Sequence, residues 1–429
     1  MIYVVQPGDS LWSIAQRYGM SVEQLARENV IPDPNRLVVG QALVITANQY
    51  VVQPGDSLYR IAQLFQTTPQ QLAQTNNISL TTPLQIGQVL QLPPVQKPQI
   101  ETLAFIEPSA QPLAPALDMA AREAGPVLTY LALFSYRAQR DGSLIPPPAV
   151  EDITQIAQQT STELSLVISN LEQGAFSASL GQAILQSQAV QQLLIENIIE
   201  LTETIPGSTN VLFDFEHLRS ADRTAYVQFL ADATEQLNEV GVTVAVALAP
   251  KTSAAMSSEW NIAHDYEAIG RVVNFVMLMT YEWGYSGGPP MAVSPLSEVR
   301  KVVEYALTVI PANKIMLGQN LYGYDWTLPY VAGGPYAEAL SPQRAIQTAL
   351  IHNAAIQFDE RAQAPTFKYR AASGAVHEVW FEDARSIQQK FNLIKEFGLR
   401  GIGYWKLGLP FPQNWLLLDE NFIIRKKGD

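Results

Sequence analysis

Eight short apolar runs alternate with segments of helical periodicity along most of this chain, and this alternation constrains the fold more than any other sequence feature. The runs are Thr102–Ile106, Val127–Tyr136, Leu164–Ser169, Val211–Glu216, Val242–Leu248, Val273–Tyr281, Lys314–Tyr322 and Gly401–Leu407. The helical segments between them include Gln182–Thr204, Asp222–Val240, Leu296–Val309 and Arg385–Phe397. Eight strands that alternate with helices over about 330 residues predict an α/β fold, a (β/α)8 TIM barrel.

In such a barrel the chemistry lies at the C-terminal ends of the strands, so the polar residues there are site candidates. They are Tyr136, Asn170, Asp214, Glu216, Tyr281, Glu282, Asn320, Tyr324 and Trp405. The set holds acids, amides and aromatic rings but no cation. It suits a neutral sugar, whose apolar face stacks on aromatic rings while its hydroxyls bond to acids and amides.

The stretch Asn210–Glu216 carries two acids spaced two residues apart. On a strand alternate side chains share a face, so Asp214 and Glu216 point the same way as Leu212. Like charge and partial burial raise the pKa of one carboxyl, which keeps a proton available near neutral pH for a leaving group. The competing interpretation is a strand whose acids only cap the next helix.

The segment between the seventh and eighth runs, Gly323 to Arg400, is long for a simple connection. It contains a helical part, Pro342–Asn353, and an apparent hairpin of Thr366–Arg370 with Val376–Phe381. We predict a small α+β insertion, at about residues 324–382, that forms a wall on one side of the cleft.

The N-terminal part of the chain is a duplicated unit. The segment Tyr3–Gln16 returns almost unchanged as Tyr50–Gln63, each with a Pro-Gly-Asp-Ser turn. In each copy a second amphipathic helix follows, Ser21–Glu28 and Thr68–Thr75, and Gly-Gln-x-Leu leads into a closing strand. The helix caps are Asp9 or Ser10 in one copy and Asp56 or Ser57 in the other. The order in each copy is therefore βααβ.

These repeats resemble the LysM module from end to end. The resemblance implies binding to glycans that contain N-acetylglucosamine, such as peptidoglycan, in a shallow groove between two loops. Matched residue by residue, one loop of that groove comprises Gly8, Asp9, Ser10, Leu11, Gly55, Asp56, Ser57 and Leu58, and the other lies near Ile31–Pro34 and Ile78–Leu80. Turn and capping chemistry alone would also account for the glycines and aspartates.

A short Pro-rich link, Pro93–Pro98, follows the repeats and is semi-rigid. We therefore predict three domains: LysM modules at residues 1–47 and 48–95, and a catalytic barrel domain at residues 96–429.

Composition excludes several classes of function. The formal net charge of −13 argues against nucleic acid or an anionic membrane as partner. There is no cysteine, and the four histidines show no metal-ligand spacing, so we expect no metal and no cofactor. Neither an apolar run long enough to span a membrane nor a signal-peptide pattern is present. We expect a monomer.

The barrel part resembles glycoside hydrolase family 18, the chitinase-like fold. The resemblance rests on the eight strands, the D-x-E acids of the fourth and Met279–Trp283 on the sixth. Four further stretches are similar to the branch of LysM-bearing spore germination enzymes of the YaaH type, which degrade cortex peptidoglycan: Phe134–Arg137, Tyr281–Pro290, Tyr322–Trp326 and Val379–Arg385. The family implies retaining N-acetylglucosaminidase chemistry in which the acetamide of the substrate attacks and forms an oxazolinium ion. Together with the resemblance to wall-binding modules, it implies action at the spore coat, the cortex or the cell wall without a recognisable signal peptide.

By motif position Glu216 is the general acid and base. Asp214 would hold the 2-acetamido group, and Tyr281 would donate a hydrogen bond to the acetamide oxygen. Trp405 would form the floor under the sugar. Trp283, Tyr324, Asp325 and Trp326 are further subsite candidates, with wall packing as the alternative for each.

The sequence departs from the family pattern D-G-x-D-x-D-x-E at Thr209, Asn210 and Leu212. The inner acids that support Asp214 are therefore lost, and Leu212 should raise the pKa of Asp214 by desolvation. A slower enzyme, a shifted pH optimum or a different partner for Asp214, such as Asn170, would follow. Two alternatives to a peptidoglycan hydrolase are a chitinase-like lectin and a structural protein of the coat or wall. The sequence leaves open cortex, vegetative peptidoglycan or chitin as substrate, and exo or endo action.

Overall fold

The structure is a computed structural model that describes residues 1–65, 67–94, 96–256, 258 and 260–426. Two ends of the predicted domains, Val95 and Asp429, lie outside the described residues.

Eight parallel strands form a closed barrel, as the alternation of apolar runs predicts. They are Gln99–Ile106, Tyr130–Ala138, Glu163–Ser169, Ser208–Asp214, Thr243–Leu248, Phe275–Leu278, Ile315–Asn320 and Gly401–Trp405. The barrel closes because the first strand pairs with both the second and the eighth. The predicted TIM barrel is therefore confirmed.

The alternation of side chains along each strand divides the core in two. On the fourth strand Val211 and Phe213 pack outward against the helices, whereas Leu212 packs inside the barrel with Val167 and Met277. Strands buried on both faces must be apolar throughout, which is why they appear in the sequence as continuous apolar runs rather than as alternating ones.

Helices surround the barrel and cover its outer core. They are Pro115–Ala124, Val150–Gln159, Ala178–Leu185, Gln188–Thr204, Arg223–Glu239, Tyr266–Val272, Leu296–Leu307, Ala384–Phe397 and Pro412–Asn421. Within the described part of the chain no helix combines the length and the apolar character that a membrane span requires.

The segment between the seventh and eighth strands forms a separate lobe with a five-stranded antiparallel sheet. In spatial order its strands are Glu338–Leu340, Gly323–Leu328, Val376–Trp380, Ala364–Arg370 and Gln357–Asp359, and the helix Pro342–Ile351 packs on it. The predicted hairpin is present, with Thr366 opposite Trp380. The predicted α+β insertion is therefore confirmed.

Both N-terminal repeats have the predicted βααβ order. The first contains Ile2–Val4, Leu11–Arg17, Val22–Glu28 and Ala42–Val44, and the second contains Gln49–Val51, Leu58–Leu64, Pro69–Thr75 and Val89–Gln91. They share one apolar core, in which Tyr18 packs against Tyr50 and Phe65 with ring centroids 5.9 and 6.4 Å apart.

The first repeat is also seated on the barrel domain. Ile356 donates its backbone N–H to Val39 O at 2.9 Å, and the amide of Gln413 donates to Ala42 O at 3.0 Å. Gly40 approaches the lobe so closely that a Cβ there would lie 1.9 Å from Ile356 O. Val44 is fully buried in the outer core of the barrel. The first repeat and the barrel domain therefore pack as one body.

Candidate active site

A cleft of about 520 Å³ opens where the barrel strands end. Six residues predicted from the sequence line it: Asp214, Glu216, Tyr281, Glu282, Tyr324 and Trp405. The two acids come from the fourth strand, which ends at Asp214, so Glu216 lies just beyond the sheet. The rest of the lining comes from the ends of the other strands, from the loops that follow them and from the insertion, which meet at this end of the barrel.

Asp214 is buried and Glu216 is half-buried in the wall of the cleft, and this governs their protonation. Burial raises the pKa of Glu216 to about 7. Burial, and then the charge of Glu216, hold the pKa of Asp214 well above its ordinary value. Asp214 is 4% exposed, and among the described residues its Oδ1 has no hydrogen-bond partner. Near neutral pH the pair therefore keeps at least one proton.

The carboxyl of Glu216 is held by Trp260, whose indole N–H donates to Oε2. This hydrogen bond lowers the pKa of Glu216 and partly offsets the effect of burial. The sequence analysis missed Trp260, because it lies in the loop after the fifth strand and forms no motif with the acids.

The backbone of Glu216 is fixed from the third strand by Asn170. Its Nδ2 donates to Glu216 O at 2.9 Å, and Glu216 N donates to Asn170 Oδ1 at 3.0 Å. Asn170 was predicted to contact substrate, or to replace the missing partner of Asp214. In this structure both ends of its amide are engaged by the main chain, and Asn170 does not line the cleft.

On the side of the fifth strand, His264 also fixes the backbone next to the acids. Its Nδ1 accepts Ala249 N–H at 2.9 Å, so the proton sits on Nε2, 3.0 Å from Phe215 O. Burial lowers the pKa of His264 to about 4, which keeps the ring neutral and preserves this tautomer. The fourth-strand acids are therefore anchored from both neighbouring strands.

The opposite wall is formed by hydroxyls and Glu282. Tyr281 is 6% exposed, and burial followed by the nearby acids raises its pKa far above the ordinary value, so it remains a neutral donor. Tyr322 donates to Glu282 Oε1, and Tyr324 donates to the same atom at 3.0 Å. These bonds orient Glu282 at the cleft surface.

Four other predicted subsite residues lie away from the cleft lining, each for a visible reason. Asp325 is on the opposite face of its strand from Tyr324 and bonds Tyr369 and His377 inside the insertion, at 2.6 and 2.9 Å. Asn320 is fully buried beneath the cleft, where it accepts from Ser294 at 2.7 Å.

Two of the four are aromatic. Trp326 is buried and donates to Gly288 O at 2.8 Å, whereas Trp283 packs against the outer core and its N–H has no partner among the described residues.

Tyr136 is also outside the cleft. The register of the second strand shifts between Leu133 and Tyr136, and this turns Tyr136 into the outer core. Phe134 lines the cleft instead. Since a register shift depends on the pairing of strands, alternation counted along the sequence does not reveal it.

The expectation of a site without a cation needs correction. Lys406 lines the cleft, and its ammonium contacts Glu107. Lys406 follows Trp405 directly and lies inside the predicted run Gly401–Leu407, but the sequence analysis did not select it. Phe105, Phe176 and Tyr322 are further lining residues that the sequence analysis did not select.

In the LysM modules the predicted loop residues perform the local tasks of a turn. Asp9 Oδ2 accepts from Tyr3 OH and Gln6 N, both at 2.7 Å, and Asp56 does the same in the second module. Ser10 and Ser57 cap the helices. Gly8 and Gly55 have φ values of +90° and +82°, which favour glycine. Leu11 and Leu58 are buried in the shared core.

Comparison with known proteins agrees with this architecture. The family model for glycosyl hydrolases family 18 matches residues 127–409, and that for the LysM domain matches residues 3–46 and 50–93. The chain is 58% identical over 428 residues to the cortical fragment-lytic enzyme of Bacillus subtilis (strain 168), with 99% of both chains covered. Two crystal structures of the spore cortex-lytic enzyme SleL are also similar.

The structure of SleL from Bacillus megaterium QM B1551 aligns with a TM-score of 0.91 at 47% identity, covering 99% of each chain. That from Bacillus cereus aligns with a TM-score of 0.89 at 47% identity, covering 100% of this chain and 99% of the other.

Proposed function

Because the chain belongs to glycosyl hydrolases family 18 and is a glycosidase, we propose that it hydrolyses the glycan strands of spore-cortex peptidoglycan as a retaining N-acetylglucosaminidase. The observation that carries the proposal is the pair of shielded acids at the end of the fourth strand. A glycosidic oxygen needs a proton donor, and a carboxyl with a pKa of about 7 is still largely protonated just below neutral pH.

In this proposal Glu216 protonates the leaving oxygen, while the acetamide of the sugar attacks its own anomeric carbon. Asp214 holds the acetamide N–H and stabilises the positive oxazolinium ion that forms. Tyr281, whose neutral hydroxyl lies in the cleft, donates to the acetamide oxygen. Glu216 then takes a proton from the water that opens the ring, and both acids return to their starting state.

The substrate assignment draws on the relatives and the LysM pair. The similar proteins are named as cortical fragment-lytic and spore cortex-lytic enzymes, and LysM family membership favours a glycan containing N-acetylglucosamine. We therefore place the action of the protein at the spore cortex or cell wall. The domain division at residues 47 and 95 and the monomeric state remain part of the proposal.

Trp405, Tyr324 and Glu282 are the proposed contacts with the sugar. They line the same cleft as the acids, and an indole face and fixed hydroxyls suit a pyranose ring. For the LysM glycan contacts we retain Gly8, Asp9 and Ser10, with Gly55, Asp56 and Ser57 in the second module. The buried Leu11 and Leu58 would support these loops from beneath.

The test is digestion of purified cortex peptidoglycan by the wild type and by Glu216→Gln, followed by mass spectrometry of the products. We expect new fragments with reducing N-acetylglucosamine ends from the wild type. The variant, which has no carboxyl proton, should form them at least a hundredfold more slowly, since general acid catalysis contributes about 10²–10⁴-fold. Equal product from both proteins would refute the proposal. Binding of the glycan without cleavage would favour the alternative, a lectin.

A further inference from the structure

A second groove lies beside the cleft and is chemically different from it. It has a volume of about 590 Å³, and its charged residues are Arg137, Arg140, Asp141 and Glu172. Leu171 lines both the groove and the cleft, so the two cavities are adjacent.

A two-stranded hairpin separates the two cavities. Its strands are Leu171–Glu172 and Ala175–Phe176, which pair through the tight turn at Gln173 and Gly174. Phe176 faces the cleft, whereas Glu172 and Gln173 face the groove. The hairpin follows Asn170, whose amide fixes the backbone of Glu216, so the groove has a fixed position relative to the proposed acid.

Most of the charges in the groove are satisfied within the protein. Arg140 donates to both oxygens of Glu172, with N···O distances of 3.0 and 3.1 Å, and Ser177 donates to Glu172 at 2.7 Å. Asp141 accepts from the backbone and the hydroxyl of Ser143, at 3.0 and 2.7 Å. These groups form the walls of the groove and leave little charge available to a ligand.

Arg137 is the exception. It lies near the end of the second barrel strand and is exposed, and no ion pair or side-chain hydrogen bond engages its guanidinium within the described residues. Its backbone carbonyl accepts from the amide of Gln139 at 3.1 Å, which steadies the main chain at this point. In a protein with a net charge of −13, this is a guanidinium without a partner among the described residues, and it lies next to the cleft.

A guanidinium of this kind recognises carboxylates. Chitin has none, whereas peptidoglycan carries carboxylates on the peptide side chains attached to alternate sugars. We propose that the groove is a binding site for the acidic peptide substituent of the glycan strand, with Arg137 as its carboxylate-binding residue. The inference rests on the proposed function, because it assumes that the cleft holds the peptidoglycan backbone.

The test compares one glycan in two charge states. Cortex fragments are N-acetylated to block their amines, and half are then converted to neutral methylamides at their carboxyls. Arg137→Gln is assayed on both, with Arg361→Gln as the matched control, since Arg361 is an exposed arginine in the insertion, away from both cavities. On the acidic fragments we expect Arg137→Gln to raise KM about fivefold with kcat nearly unchanged, as for loss of an exposed ion pair.

On the neutral fragments Arg137→Gln should match the wild type, and high salt should erase the difference on the acidic ones. Equal loss on both substrates would mean that Arg137 is structural, and no loss on either would mean that the groove is not a substrate site. Either result overturns the inference. In both cases wild-type cleavage of the acidic fragments leaves the proposed function intact. Absence of wild-type cleavage that depends on Glu216 would instead refute the function itself.

Discussion

The carboxyl of Glu216 is subject to two opposing influences, burial that favours its protonated form and the indole N–H of Trp260 that favours the ionised form. Trp260→Phe keeps an aromatic ring but removes the donor. We expect the pKa of Glu216 to rise, and the basic limb of the kcat/KM profile, near pH 7 in the wild type, to move upward by about half to one unit. The measurement is cleavage rate against pH on soluble cortex fragments.

Trp380→Phe is a control for this experiment. Trp380 also donates an indole N–H to a carboxylate, Glu378 Oε1 at 3.0 Å, but it does so in the insertion sheet. Its replacement should leave the basic limb in place. A limb that stays at its wild-type pH in Trp260→Phe would show that the indole does not control the protonation of Glu216.

At the level of single residues the sequence predicted what local spacing encodes. Asp214, Glu216 and Tyr281 all line the cleft. They could be predicted because a D-x-E triplet and a strand-end tyrosine are local sequence patterns. Trp260 lies 44 positions beyond Glu216, in a loop with no periodicity, so only the fold brings them together. The sequence analysis also predicted that desolvation raises the pKa of Asp214, and burial is the main cause of that rise.

The connection between the fourth and fifth strands depends on His264. Burial lowers its pKa from 6.5 to about 4, so the unfolded chain binds a proton in the interval where the folded chain does not. The contribution of this residue is therefore present above pH 6.5 and declines as the pH falls toward 4. Full loss corresponds to about 3 kcal/mol.

His264→Gln removes this titration while keeping a donor and an acceptor. We expect the unfolding free energy of the wild type to fall relative to that of the variant between about pH 6.5 and about pH 4.5. Urea denaturation at several pH values measures both. Glu216 and Asp214 titrate in the two proteins alike, so the difference isolates the histidine. A constant difference across this range would contradict a neutral buried ring.

At the level of elements, the barrel was predictable because its strands are buried on both faces and therefore apolar throughout. The ends of the strands were less predictable. The sixth run, Val273–Tyr281, contains a strand of only four residues, Phe275–Leu278, because apolar residues continue into the loop that forms the cleft. Apolar character reports burial, and cleft walls are buried as well as strands.

At the scale of the whole molecule, the second LysM module serves as a comparison for the first, because equivalent positions of the two modules lie in different environments. Val38 and Val44 of the first module, packed against the barrel domain, correspond to Gln85 and Gln91 of the second, which are exposed. A Cβ added at Gly40 would collide with Ile356, whereas one added at Gly87 would meet nothing within 4 Å. The two modules share a fold but not an environment.

Val44→Gln should destabilise the protein by about 2 kcal/mol or more, since a buried amide would lack partners. Gln91→Val, the reverse change at the equivalent exposed position, should alter the unfolding free energy by less than about 0.5 kcal/mol. Thermal or urea denaturation of the full chain compares them. If the two substitutions cost the same, the first module is not seated on the barrel in solution.

The sequence could not predict this seating. Both modules match the LysM pattern equally well, and valine and glutamine at these positions both fit a short strand. The surface that buries the valines of the first module is assembled from the insertion and the last helices, so it exists only in the folded protein. The glutamines of the second module have no such surface beside them and are exposed.

The packing of the first LysM module against the barrel domain has a consequence for how the protein moves across an insoluble substrate. A binding module on a flexible linker lets the catalytic domain reach many bonds around one attachment point. A binding module packed on the catalytic domain lets it reach only the bonds at that point during each binding event. If the LysM modules bind a glycan strand, as proposed, bonds elsewhere become reachable only after the protein dissociates and binds again. Tighter anchoring would then slow the erosion of a wall, even though each cut is as fast as before.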